Sequence, residues 1–124
     1  MILVDTSVWI RYLANRSPYL EGLKALLVRR EVVGHNLVYG ELLMGYPGGR
    51  HRLLDDYGEM RQATSVPHKE VVDLVEKHRL HGLGVGWIDV HLLASAKLDG
   101  IKVWTADPRF HEMARDLGVA YSPT

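Results

Sequence analysis

The 124-residue chain has no cysteine, a single phenylalanine and no net charge, its 15 basic residues matching its 15 acidic ones. Without cysteine there is no disulfide, no zinc–thiolate site and no cysteine nucleophile, and a reducing cytoplasm is the expected home. No run of 18 apolar residues occurs, so no membrane span is expected. The start, MILVDTSVW, carries an acid at position 5 and no basic leader, and reads as a first strand rather than a signal peptide. Zero net charge removes the simplest argument for nucleic-acid binding, although a local basic rim is compatible with a neutral chain. What remains is an ordinary globular mix, 47% apolar and 24% charged. Its length suits one domain over residues 1–124 that buries roughly two thirds of its unfolded surface.

Short apolar runs alternate with helical patterns. Ile2–Val4 and Val32–His35 read as strands buried on both faces, and Ile101–Thr105 as a third. Thr64–Val66 and Val119–Tyr121 are further strand expectations, for four or five in all. Helices are expected over Val8–Ala14, from a Ser17 cap with Pro18 in the first turn, and from an Asn36 cap to about Met44. Others are expected around Leu53–Met60, from Pro67 through His78, over Trp87–Asp99 and over Pro108–Leu117. Gly45–Gly49 and Gly82–Gly86 are breaks. Strands joined through helices imply an α/β fold with a mostly parallel sheet, whose ligand site lies beyond the carboxyl ends of the strands.

Four acids stand near those ends: Asp5, Glu41, Asp89 and Asp107. Each has a purely structural reading. Asp5 is positioned to cap the next helix, Asp107-Pro108 is a good cap with proline at N1, and Asp89 in a first turn complements the helix dipole. Two features weigh against those readings. Asp89 shares a helix face with Leu92, Leu93 and Ala96, and Glu41 with Leu37, Val38 and Met44, so both acids are expected on apolar faces where solvated carboxylates do not belong. If the four converge, two like charges about 5 Å apart repel by roughly 3 kcal/mol at an effective dielectric near 20. A hard divalent ion, Mg²⁺ or Mn²⁺, relieves that repulsion and does phosphate chemistry. Thr6, Ser7 and Thr105 offer hydroxyls at the same ends, for capping or for positioning water or an acid. His35 and His91 are candidates for the rim, with no metal-spaced histidine pair beside the acids.

MILVDTSVWI, the E41-L-L-M-G segment, GLGVGWIDVHLLASA and VWTADPRF together resemble a PIN domain, and within that family the VapC-type toxins of bacterial toxin–antitoxin pairs. The resemblance spans positions 1–110. It implies a three-layer α/β/α domain, Mg²⁺- or Mn²⁺-dependent endoribonuclease activity, a homodimer and a small cognate antitoxin that silences it. The family's acidic metal cluster falls on Asp5, Glu41, Asp89 and Asp107, with Thr105, Thr6 and Ser7 as supporting hydroxyls. One departure stands out: many relatives carry a further acid two residues after the last aspartate, and this chain has Arg109 there. That leaves one ion or two open, and Arg109 either meets substrate phosphate or is a solvated helix residue.

Arg11, Arg16, Arg50, Arg52 and Lys69 are candidates for a positive rim toward an RNA backbone, against the plainer reading of solubilising surface. Trp9, Tyr12 and Leu13 are either core or, as in the resembled toxins, part of the antitoxin grip. Other acid-bearing classes fit less well. A receiver domain needs paired acids after the first strand, a haloacid-dehalogenase phosphatase needs DxD where position 7 is Ser, and an aspartic protease is all-β. A non-catalytic binding module, with the acids as caps, remains the plain alternative and predicts Glu41 far from Asp5.

Overall fold

The computed structural model describes residues 1–123. The chain runs β1 (Ile2–Val4), α1 (Thr6–Leu13), α2 (Tyr19–Val28), β2 (Val32–Val33), α3 (Asn36–Met44), α4 (His51–Gly58), α5 (His68–His78), α6 (Trp87–Asp99), β3 (Lys102–Trp104) and α7 (Pro108–Asp116). The strands are parallel in the order β2-β1-β3, with Leu3 opposite both Val33 and Val103. β1 is therefore central, and Ile2, Leu3 and Val4 are all buried, as a continuous apolar triplet predicts. The α/β class and the parallel sheet agree with the sequence reading.

Three strands form among the described residues, not four or five. Val119–Tyr121 survives as a single parallel bridge of Ala120 with Val103, whereas Thr64–Val66 pairs with no strand, the one bridge near it joining Gly34 to Gln62. The Thr64 amide donates to the Asp99 carboxylate at 2.7 Å, and the Val119 amide closes α7 on the Ala114 carbonyl at 2.9 Å.

Two caps also differ from expectation. Pro18 occupies the N-cap of α2, and the Ser17 hydroxyl reaches Glu21 instead of a backbone amide. His35, not Asn36, caps α3, its Nδ1 accepting from the Leu37 amide at 3.0 Å. Because Nδ1 accepts there, the imidazole proton sits on Nε2, which lies 3.0 Å from Ser95 Oγ. The Tyr57 hydroxyl accepts from the His35 amide at 2.8 Å. His35 is 2% exposed, so it belongs to this internal network and not to any rim.

The core gathers on both sides of β1, from Val8 and Trp9 of α1, Leu23 and Leu26 of α2, Leu92 and Leu93 of α6, and Phe110 of α7. Leu92 to Ala96 are buried without interruption, which makes α6 an interior helix. α2 comes unusually close to β3: a Cβ on Gly22 would lie 2.8 Å from the Trp104 ring. Only glycine permits that approach. No helix among the described residues is long and apolar enough to cross a membrane.

Candidate active site

The carboxyl ends of β1 and β3 lie side by side, so the residues that follow them meet. The Asp5 amide donates to the Trp104 carbonyl at 2.8 Å, continuing the β1–β3 pairing by one residue. Asp5 holds the N-cap position of α1, yet its side chain caps nothing. Its Oδ2 instead accepts from the Ser7 hydroxyl at 2.7 Å and from Thr105 Oγ1 at 2.8 Å. Each hydroxyl has one proton, and both protons point at Asp5, so the 3.3 Å approach of Ser7 to Thr105 is proximity only. The two hydroxyl oxygens then accept from the next segment: Ser7 Oγ from the Ala106 amide at 3.0 Å, and Thr105 Oγ1 from the Asp107 amide at 3.1 Å. The result is a closed polar clasp around a carboxylate that is only 5% exposed.

Glu41 is tied to the same end of the sheet. Thr6 Oγ1 donates to Glu41 Oε1 at 2.6 Å, bridging α1 and α3 across 35 residues of chain. The plain alternative, with Glu41 far from Asp5, fails on this contact, because Thr6 is Asp5's immediate neighbour. Glu41 is half-buried at the margin of the cleft. The face expected to carry it inward does not: Met44 is 84% exposed. α3 packs through Val38 and Leu42 instead.

Asp89 is also half-buried, in the first turn of α6, with its Oδ2 close to Gly86. Its expected companions Leu92, Leu93 and Ala96 are all buried. Burial pushes its carboxyl up to about 6, and the charges of Asp5, Glu41 and Asp107 push the same way against a hydrogen bond from Gly86. The four acids therefore share one electrostatic field. Asp107 is the partial exception, since its Oδ1 accepts from the Arg109 amide at 2.9 Å as an α7 cap behind Pro108. Among the described residues no three acid or histidine side chains are already gathered as a ready metal-binding group. Asp5, Glu41 and Asp107 each commit one oxygen to a protein donor.

Neither the hydroxyl clasp nor the Thr6–Glu41 bond was legible in sequence, because each joins residues dozens of positions apart. The expected basic rim is only partly free. Arg11 donates to the Ser7 carbonyl at 2.9 Å and lies over Tyr19, while Arg50 donates to the Leu42 carbonyl at 3.2 Å and lies over Tyr46. Arg16, Arg52 and Lys69 remain exposed. Trp9 is core, and Ile10 and Leu13 are the exposed apolar residues of α1. Arg109 is exposed and lies against Gly84, where any Cβ would run into its side chain. A hollow of about 590 Å³ lies elsewhere, bordered by Ile10, Leu13, Tyr46 and Arg52.

A parallel α/β fold with acids near the carboxyl ends of its strands defines a class, and comparison with known proteins gives the family. The PIN domain family pattern matches residues 2–116. Ribonuclease VapC32 of Mycobacterium tuberculosis, in strains CDC 1551 and H37Rv, is 40% identical over 121 residues, 97% of this chain and 95% of the relative. The chain belongs to the PIN-domain family and, within it, to the VapC-type toxin ribonucleases. Among solved structures, FitAcB from Neisseria gonorrhoeae superposes with a TM-score of 0.65 at 21% identity, covering 97% of this chain and 95% of that one. FitAB bound to the IR36 DNA fragment gives 0.63 at 21%, covering 97% and 92%. PAE2754 from Pyrobaculum aerophilum gives 0.59 at 16%, covering 92% and 79%.

Proposed function

We propose that this chain is a divalent-metal-dependent endoribonuclease that hydrolyses RNA phosphodiester bonds, working as the toxin of a toxin–antitoxin pair. The observation that carries the reading is Asp89. A half-buried carboxylate raised to about 6 by burial and by three other acids is costly unless a cation is at hand. The donor set fits a hard ion, because Asp5, Glu41, Asp89 and Asp107 offer carboxylate oxygen and no sulfur. Mg²⁺ is the first choice and Mn²⁺ the second. When bound, such an ion supplies a water of lowered pKa and screens the phosphate's growing charge.

The chain's own part is positioning. The Ser7 and Thr105 hydroxyls hold Asp5 Oδ2, so that Oδ1 is the oxygen left to face the cleft. Thr6 does the same for Glu41. Asp89, raised to about 6 in the metal-free protein, has to give up its proton for an ion to bind, which couples occupancy of the site to pH. Water attacks phosphorus and the 3′-oxygen departs, with unpaired RNA the favoured substrate because its backbone bends into a cleft more readily than a duplex.

For the fold, the three-layer α/β/α arrangement belongs to the same reading. From central β1 the chain crosses to β2 on one side, then back past β1 to β3 on the other. Two right-handed crossovers in opposite directions put their helices on opposite faces of the sheet. For partners, a cognate antitoxin and a second copy of the chain are proposed. The relationship to FitAB supports a protein partner. The hollow beside Ile10, Leu13 and Tyr46, rimmed by Arg50 and Arg52, is the surface offered to the antitoxin.

The test is cleavage of a mixed RNA pool, read by end sequencing. Defined ends are expected with Mg²⁺, none with EDTA, and a loss of about a hundred- to thousandfold with Asp5→Asn, the scale of removing one preorganised electrostatic group at a reacting centre. Full activity in EDTA or in Asp5→Asn sinks the reading.

A further inference from the structure

Trp87 is the one tryptophan of the three that reaches solvent, 45% exposed against 1% for Trp9 and 3% for Trp104. It opens α6, two residues before Asp89. Two rings from different elements brace it. His91, one turn further along α6, meets it edge-on with centroids 4.8 Å apart, and His68, the first residue of α5, meets it at 5.3 Å. The ring is thus held in a fixed orientation by two neighbours while one side stays open to water. Its position is particular as well. Gly86, the residue before it, lies close to the Asp89 carboxylate, and Trp87 and Asp89 share the first turn of α6. Lys69, next to His68 in sequence, and Arg109, against Gly84, are exposed cations.

We propose that the Trp87 indole, braced by His68 and His91, is a stacking platform for the base of an unpaired nucleotide next to the phosphate held in the cleft. This rests on the ribonuclease reading and adds to it a residue that orients substrate. A single strand entering an acid-lined cleft brings bases with no partner, and every base has a π-face that an aromatic ring can cover. Lys69 and Arg109 suit the phosphates on either side, where the acids cannot. Stacking is tolerant of base identity, so the platform anchors the strand more than it reads its sequence.

The experiment uses metal-free protein in EDTA and a short unstructured oligoribonucleotide, beside a version abasic at one nucleotide in turn. Binding is read by anisotropy, and by quenching of Trp87 fluorescence. Trp87→Ala is expected to weaken binding of the intact strand about five- to hundredfold, from the cost of one stacked base. It should change nothing for the strand abasic at the stacked position, and Trp87→Phe should recover most of the loss. In Mg²⁺ the same variant should raise KM more than it lowers kcat. Trp87→Leu keeps apolar bulk without the π-system and should behave like Ala, which also guards against a folding defect. Leu98→Ala, at the exposed far end of α6, is the control. Equal binding by Trp87→Ala, or an equal loss on every abasic strand, overturns the platform and leaves the ribonuclease reading standing. That includes the case where Trp87 anchors a protein partner. Failure of the unaltered protein to bind or cut any RNA overturns both.

Discussion

Asp5 and Asp107 have the same local grammar: a strand, an aspartate, then a helix. They are used in opposite ways. Asp107 turns its carboxylate onto the Arg109 amide and caps α7, as its sequence predicts. Asp5 sits at the cap position of α1 but turns away from it, toward the hydroxyls of Ser7 and Thr105. A hydroxyl and a backbone amide compete for the same oxygen, and the outcome depends on what the tertiary structure brings within reach. Asp107 has no such rival donors; its one neighbour among the hydroxyls, Thr105, accepts from its amide. The lesson is that cap propensity describes an available position, and that a side chain declining it is committed elsewhere.

The strongest way to break the contrast is to remove the rivals. Thr105→Val takes a buried donor from Asp5 and strands the Asp107 amide, and Ser7→Ala strands the Ala106 amide. Each unsatisfied group costs about 1–3 kcal/mol. The pair should cost more than either alone but less than the sum, because both serve one carboxylate. Urea unfolding of the two single variants and the double variant checks this. A double variant as stable as the parent would mean that the clasp contributes nothing.

A smaller effect comes from the cap itself. Asp107→Ala should lose about 1 kcal/mol by removing the acceptor for the Arg109 amide. Asp107→Asn keeps a capping oxygen and should recover nearly all of that stability. The same Ala/Asn comparison at Asp5 should instead report on the clasp, since Ala strands the Ser7 and Thr105 hydroxyls while no α1 amide depends on that side chain. Thermal melts of the four metal-free proteins separate the cases.

How much of this was legible before folding follows from the same distinction. The apolar triplet of β1, the strand β3 with its buried Val103 and Trp104, the interior run of α6 and the cap at Asp107 all depend on neighbours in sequence, and all appear where expected. The four acids were singled out because the strand-end rule for parallel sheets converts sequence position into an expected place. The misses depend on partners far away in the chain. Thr64 gave its amide to Asp99 rather than to a strand. His35 capped α3 because Ser95 and Tyr57 were there to hold it. Glu41 was expected inward and is held at the margin by Thr6. Periodicity reports which face of a helix is apolar, but not which neighbour will claim a polar group on it.

The finest comparison uses Asp89 to sense the other two. Its carboxyl is raised to about 6 first by burial, then by Asp5, with Glu41 next and Asp107 last among the charges. Asp5→Asn should therefore lower the Asp89 titration midpoint more than Asp107→Asn does. Carboxyl-carbon NMR in metal-free protein reads both. A carboxyl with a raised folded-state pKa makes the native state hold a proton that the unfolded chain has released. Its contribution is thus neutral below about pH 4 and turns destabilising as the pH climbs to about 6, where the penalty is complete. With Asp89 half in solvent, that penalty is on the order of 1–2 kcal/mol after screening. His35 acts in the opposite sense over an adjoining range. Burial lowers its pKa, so stability is lost as the pH falls below about 6.5. The discriminating measurement is the difference in unfolding free energy between Asp89→Asn and the parent across pH 4 to 8, from which His35 cancels. The difference should grow in favour of Asn up to about pH 6 and then level off. A flat difference would mean that Asp89 ionises freely and that the acids are less closely gathered than the cleft requires.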